Sequence, residues 1–389
     1  MQRSLAGLIV ANAVSLTGNV VAIVAIPWLV LTTTGSPART GIAAFCTTLP
    51  LGVGALFGGA IVDRFGARPT SIACDLAAGL AFAAIPLLHL LGVLRFWHVL
   101  ALAVAGSALD GPAQGARQAL LPELRERASV SAERANAFWT TTEHTGYVLG
   151  APLAGVLVAS FGAPTALWVD AASFGVSALT IALVVPRTTT RGAGAVDPLG
   201  GLRLIAHDSA LRSFLVVWTL GNFLIAPLAA VWLPVYARER LGGAGALGVL
   251  VTAYGVGGIA GAAGYALLVR SFTRRQLFTA IRILYPIVCA FLVLLPSLAG
   301  AAVVLFLIGL VPGTGVPLYQ LVLQERTPAE LRGRVFSAFT ASLTLTAPLA
   351  MVGGGILVQA AGLRTSFAIY AATSAVLSAW AWRTVARLL

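Results

Sequence analysis

The chain has 389 residues, 58% of them hydrophobic and 10% charged, with a formal net charge of +12; soluble domains carry about a quarter charged residues, so a water-soluble globular fold is excluded. All 25 basic residues are arginine, and the absence of lysine removes a P-loop lysine and any Schiff-base lysine, which excludes ATP hydrolysis through a Walker site. The arginines are scattered between apolar runs and imply no nucleic-acid partner, and Cys46, Cys74 and Cys289 are too far apart for a disulfide framework or a zinc site.

The start, "MQRSLAGLIVANAV", has the look of a signal peptide, but its apolar run continues to Leu31 and is expected to stay as a span. Hydropathy and Pro, Gly and Arg punctuation predict twelve transmembrane helices, at residues 5–31, 40–62, 69–91, 97–120, 133–159, 164–185, 210–236, 245–269, 275–297, 299–322, 333–360 and 363–386. Barrel strands would show alternating segments of about ten residues, and these runs do not alternate. The expected fold is therefore an all-α membrane protein.

Assigning arginines to alternate sides puts twenty on the side of the termini and leaves Arg39, Arg95, Arg238, Arg240 and Arg364 on the other. That positive-inside bias predicts cytoplasmic termini. The Gly- and Thr-rich stretch 187–209 reads as a cytoplasmic linker between six-helix bundles at 1–186 and 210–389. Gly41 pairs with Gly248 at an offset of 207, and Gly58, Arg64, Arg68 and Pro122 pair with Gly264, Arg270, Arg274 and Pro328 at 206, so the bundles are expected to be parallel repeats.

Between spans 2 and 3 lies "GGAIVDRFGARPT". Gly59, Asp63, Arg64, Gly66 and Arg68 in this loop resemble motif A of the major facilitator superfamily; the spans, linker and duplication extend that resemblance over the whole chain. The resemblance implies that Asp63 meets the start of span 11, near Arg332, Gly333 and Arg334, where a helix N-terminus favours an anion. Gly59 would allow close packing, Gly66 the tight turn, and Arg64 and Arg68 would balance Asp63 and hold lipid phosphates. The alternative is a plain positive-inside loop.

Ionisable groups within spans are costly and call for a function. Asp110, Gln114 and Arg117 share one face of span 4, and Asn136, Thr140, Glu143 and Tyr147 one face of span 5, with His144 beside Glu143. Asn12, Ser15 and Asn19 (span 1), Asn222 (span 7) and Tyr319, Gln320 and Gln324 (span 10) complete the polar set. The superfamily resemblance implies that spans 1, 4, 7 and 10 line a central cavity. Glu143 is the first candidate to carry a proton, followed by Asp110 and His144; a permanently paired acid bonded to Arg117 or His144 is the competing role. Asp75 and Asp170 are expected to make structural hydrogen bonds, and Trp28, Trp97, Trp168 and Trp232 to anchor at the interfaces.

Gly146, Gly150, Pro152 and Gly155 in span 5 resemble the antiporter motif, motif C, of drug exporters, with Ala151 where glycine is usual. The loops "GPAQGARQALLPEL…SAERANAFW" and "QERTPAELRGRVFSAF" are similar to those of the macrolide-efflux and enterobactin-exporter branch. These resemblances imply a monomeric inner-membrane exporter of a drug-like or siderophore-type small molecule, coupled to protons, surrounded by lipid, and needing no cofactor, metal or catalytic residue. An importer, a lipid flippase, a non-transporting subunit or sensor, and an ATP-driven permease with a separate ATPase remain as alternatives.

Overall fold

The computed structural model describes residues 3–187, 198–327 and 331–385; within its helices the side chains of Glu143, His144, Tyr147, Gln324, Arg332, Gly333 and Arg334, among others, lie outside the described set. Its helices are α1 (Arg3–Thr34), α2 (Pro37–Phe65), α3 (Ala67–Leu90), α4 (Phe96–Arg127), α5 (Ala132–Phe161), α6 (Ala163–Val184), α7 (Pro198–His207), α8 (Ser209–Pro227), α9 (Leu233–Arg240), α10 (Ala244–Leu268), α11 (Arg274–Phe291), α12 (Leu298–Arg326) and α13 (Arg332–Val385). No strand occurs among the described residues. The chain divides into two compact units, Met1–Val196 and Asp197–Leu389.

Local chemistry sets the helix boundaries. Ser36 accepts a hydrogen bond from the Arg39 N–H just before Pro37 opens α2. Asp208 caps α8 through the N–H groups of Ala210 and Leu211, and Thr273 and Gln276 form a reciprocal capping box at α11. Gly66, Gly162 and Gly362 share one backbone geometry, with φ of 86°, 84° and 78° and ψ of 151°, 158° and 169°. This region is essentially closed to residues with a Cβ. At Gly66 and Gly162 it separates consecutive helices, and at Gly362 it divides α13 into two rods.

Among the described residues, each unit has six rods of membrane length. Those of the first are α1 to α6; those of the second are α8 with α9, α10, α11, α12 and the two parts of α13. α8 runs into α9 through one wide turn at Leu228–Trp232. Pro227 precedes it, and the Leu233 N–H reaches back five residues to the Leu228 carbonyl, as expected where proline disrupts the regular ladder. Nine described helices qualify for a membrane crossing on both length and mean hydropathy, with α13 taken as one.

In unit 1, α1 packs against α5 and α6, α2 against α4, and α3 against α4 and α6; in unit 2, α10 packs against α12 and α13 against α8 and α11. The second and fourth rods thus pair in both units, and glycine permits the approach each time. Gly58 rests on Pro112, while a Cβ at Gly54 or Gly111 would overlap backbone of the facing helix. In the other unit a Cβ at Gly261 would overlap the Leu310 carbonyl oxygen, and one at Gly309 that of Tyr254. Without a hydrophobic force between helices in lipid, such van der Waals contact drives association.

Several expectations change here. Gly59, read as a packing residue, has open space where a Cβ would stand, and close packing falls to Gly54 and Gly58. Trp28 and Trp232, expected at the interfaces, are buried within the protein: the Trp232 indole N–H donates to the Gly354 carbonyl at 2.9 Å, with Phe367 and Tyr370 edge-on to its ring. Trp97 and Trp168 are exposed. Within the stretch read as linker, residues 188–197 lie outside the described set, and α7 packs against α13 with Ile205 in the core.

Candidate functional site

Unit 1 encloses a charged cluster built by α1, α3, α4 and α6. Arg117 of α4 is 0% exposed. Its Nη1 donates to Asp75 Oδ1 of α3 at 2.6 Å, its Nε to Asn12 Oδ1 at 3.2 Å and its Nη2 to Ser15 Oγ at 3.2 Å. The other Asp75 oxygen accepts from Ser177 of α6 at 2.7 Å. Asp110 Oδ1 lies 3.7 Å from Arg117 Nη2, an ion pair without a hydrogen bond, while Oδ2 accepts from Asn19 at 2.7 Å and Gln114 at 2.8 Å. A guanidinium removed from water must find its partners inside the protein, and here several meet it.

The i, i+4, i+7 face predicted on span 4 is therefore formed, with Asn12 and Asn19 joined to it. Arg117, assigned with the cytoplasmic loop arginines, is an interior residue, and Asp75 is its closest anion. Reading each span separately concealed that pair. The available signal was a balance of charge, because Arg117 falls within span 4 and an arginine there needs an acid from another span.

Asp170 of α6 lies beside Gly18 and is 0% exposed, with no hydrogen-bond partner for either carboxyl oxygen among the described residues. Asp75, Asp110 and Asp170 thus place three carboxyl groups in the interior of unit 1, of which Asp75 and Asp110 meet Arg117. Gly146 and Gly150 of α5 pack directly on Leu16 and Val20 of α1, and Pro152 and Gly155 continue the same helix. Thr140 is exposed; Glu143, His144 and Tyr147 are helical in α5, but their side chains lie outside the described residues. A groove of about 510 Å³ runs along α1, α5 and α6, bordered by Thr17, Thr141, Gly146 and Ser173. Among the described residues no group of His, Cys, Asp and Glu could hold a metal ion.

The expected motif A residues are distributed differently. Gly66 forms the turn, and Asp63 and Arg64 are exposed, with the Arg64 guanidinium 5.3 Å from the Phe65 ring centre. Arg68, expected to hold lipid phosphate, instead donates its Nε to Val185 O at 2.8 Å and its Nη2 to Ala182 O at 2.6 Å. It caps the end of α6, where carbonyls lack helical partners and a cation is favoured.

Unit 2 contains a cavity of about 310 Å³ between α8, α10, α11, α12 and the second rod of α13. Tyr319 and Asn222 line it, as does Trp218, whose ring stacks on Tyr319 at 4.3 Å and 5°. The Asn222 amide donates to the Trp218 carbonyl at 3.1 Å. Gln320, one residue beyond Tyr319, is exposed, since successive helical residues turn to different faces.

An α-helical protein crossing the membrane many times, with a buried ionic cluster in one bundle and a small-molecule-sized cavity in the other, has the plan of a transporter. A sequence model of the Major Facilitator Superfamily matches residues 8–347, and the chain belongs to that family. It is a multi-pass membrane transporter rather than an enzyme, and its substrate is a small molecule. Over 364 residues it is 33% identical to the multidrug efflux pump Tap of Mycolicibacterium fortuitum, covering 90% of this chain and 88% of that protein. A staphyloferrin A transporter of Staphylococcus aureus is 27% identical over 174 residues, covering 42% of this chain and 41% of that one. The solved structure of the nucleoside transporter NupG is similar in fold, with a TM-score of 0.75, 12% identity and 99% of each chain covered.

Proposed function

We propose that this chain exports a drug-like or siderophore-type molecule in exchange for protons, by alternating access of bundles 1–186 and 210–389 joined by a cytoplasmic linker. It works as a monomer among lipids of a bacterial cytoplasmic membrane, with both termini in the cytoplasm. The similarity to a multidrug efflux pump along 90% of the chain supports the direction and the substrate class. The observation that carries proton coupling is the excess of carboxyls over cations inside unit 1. Asp110 meets Arg117 only at 3.7 Å, so its bond to the guanidinium can strengthen or lapse as it loses or gains a proton.

Glu143 is the second carboxyl in this reading and the first candidate for the coupling proton, with His144 beside it. Gln114, Thr140, Tyr147, Asn222, Tyr319 and Gln320 serve the transport path, Asn12, Asn19 and Arg117 hold the ionic cluster beside it, and Asp63 steadies the closed cytoplasmic side. The test is transport by the full chain in proteoliposomes with an imposed pH gradient, a panel of amphipathic compounds and a trapped pH dye. Compound-dependent proton flux is expected, and Glu143→Gln should abolish it while leaving binding intact. Compound flux that persists when a protonophore collapses the gradient overturns the antiport reading. Undiminished coupled flux in Glu143→Gln transfers the role to Asp110, to be tested as Asp110→Asn.

A further inference from the structure

Arg282 lies two turns inside α11, on the face that also carries Phe278 and Tyr285. Its side chain lines the unit 2 cavity, and Nε is buried with no hydrogen-bond partner. Its guanidinium lies 5.0 Å from the Phe278 ring on its own helix, with Tyr285 close by. A cation–π contact of this kind does not neutralise the charge.

No acidic side chain among the described residues pairs with Arg282. The sequence has no acidic residue between Glu239 and Glu325, and none after Glu330. Glu325 is exposed and already paired with Arg274, at 2.6 Å and 2.9 Å. Arginine keeps its charge, so a guanidinium is held in a largely apolar cavity with no anion beside it among the described residues, in contrast to Arg117, which has two. A second polar group faces the same space: Tyr319 is 7% exposed, lines the cavity, and its hydroxyl has no partner. Buried polar groups are nearly always satisfied, so two unpartnered ones facing one cavity call for an occupant that can bond to both.

We propose that this cavity is an anion subsite, in which Arg282 pairs with a carboxylate or another singly charged anionic group on a flat, apolar body. The body packs on the aromatic wall of Trp218, Tyr319 and Tyr285, and the Tyr319 hydroxyl donates to the same anion. The volume of about 310 Å³ suits such a ligand. Arginine presents a fork of donors that matches a carboxylate, which makes the acid form of a ligand the preferred one. An amphipathic anion in solution and the phosphate of an anionic lipid share this chemistry.

The physiological use of the subsite rests on the transport reading, but binding is measured without any gradient. Full-length protein in phosphatidylcholine nanodiscs is titrated calorimetrically with 2-naphthoate and, separately, with its neutral analogue 2-naphthamide. The naphthoate should bind about tenfold more tightly or better. Arg282→Gln should erase that preference, Arg282→Lys should keep part of it, and Tyr319→Phe should weaken naphthoate alone.

Equal affinity of acid and amide for the wild-type protein overturns the proposal, as does an undiminished preference in Arg282→Gln. Should that variant fail to fold, the wild-type comparison together with Arg282→Lys decides the matter. Phosphatidylglycerol added to the nanodiscs separates the sources: competition with naphthoate assigns the anion to a lipid headgroup, and no competition assigns it to a soluble ligand. Acid-selective binding without compound export would refute the exporter reading and leave the subsite standing. Export without acid-selective binding would do the reverse.

Discussion

The two bundles follow one plan and place charge within it in opposite ways. In unit 1, Arg117 is fully buried and meets Asp75, Asp110, Asn12 and Ser15. In unit 2, Arg282 faces a cavity walled in part by aromatic rings, and no acid among the described residues accompanies it. Both arginines lie well within a helix, so exposure to hydrocarbon alone did not decide their fate. What differs is the supply of partners from neighbouring spans. A duplicated scaffold can turn the same residue type into an internal brace or into a ligand contact, according to whether the other helices carry the opposite charge.

The most damaging way to break this contrast is Arg117→Met, which strands the carboxyls of Asp75 and Asp110 in the interior. Loss of one partner of a buried pair costs about 3–5 kcal/mol, enough to depress the yield of folded protein. The double variant Arg117→Met with Asp75→Leu should recover part of the thermal stability measured in detergent. A single variant as stable as the wild type would mean that the cluster does not brace the bundle.

A smaller effect is expected where the two units agree. Gly309→Val drives a branched side chain into the Tyr254 carbonyl at the α10 and α12 contact, and overpacking of this kind costs about 1–3 kcal/mol. Gly264→Val faces open space and should leave the melting temperature nearly unchanged. Equal destabilisation by both would show that the second and fourth rods do not depend on glycine contact.

The smallest effect belongs to the surface pair of Arg274 and Glu325 at the end of the same bundle. The hydrogen bond from Arg274 holds the Glu325 carboxyl below its ordinary value of 4.5. A depressed acid contributes stability above its unfolded value, and the contribution is lost as pH falls through the lower folded value. Glu325→Gln should therefore lower thermal stability slightly at neutral pH and low salt, and not at all in strong acid, where the wild-type carboxyl is also protonated. High salt should erase the difference at every pH. A difference that survives salt would show that the pair matters in some way other than by its charge.

Much of the architecture was legible because lipid is an exacting solvent. Apolar runs of membrane length, separated by Gly66, by Gly162 and by the break at Gly362, already define most of the rods. The face formed by Asp110, Gln114 and Arg117 was readable from helical spacing. The partners of that face were not, because Asp75, Asn12 and Ser177 approach from other helices. Arg68 presents the same difficulty: its sequence context pointed to lipid phosphate, yet its donors reach the final carbonyls of α6, more than a hundred residues away in the chain. Gly59 and Gly58 are adjacent, and only the facing Pro112 distinguishes the one that packs.

The sequence by itself determined that this chain crosses a membrane repeatedly as helices, that it carries a duplicated plan, and that it lacks the residues for a Walker site. Those properties follow from local composition and period, since a backbone in hydrocarbon must satisfy its own hydrogen bonds within each segment. Only the tertiary structure decided which interior charges neutralise one another and which find no counter-charge among the described residues. That outcome depends on distances of a few ångströms between residues far apart in the chain, and Coulomb attraction in a poorly screened interior varies steeply over just those distances.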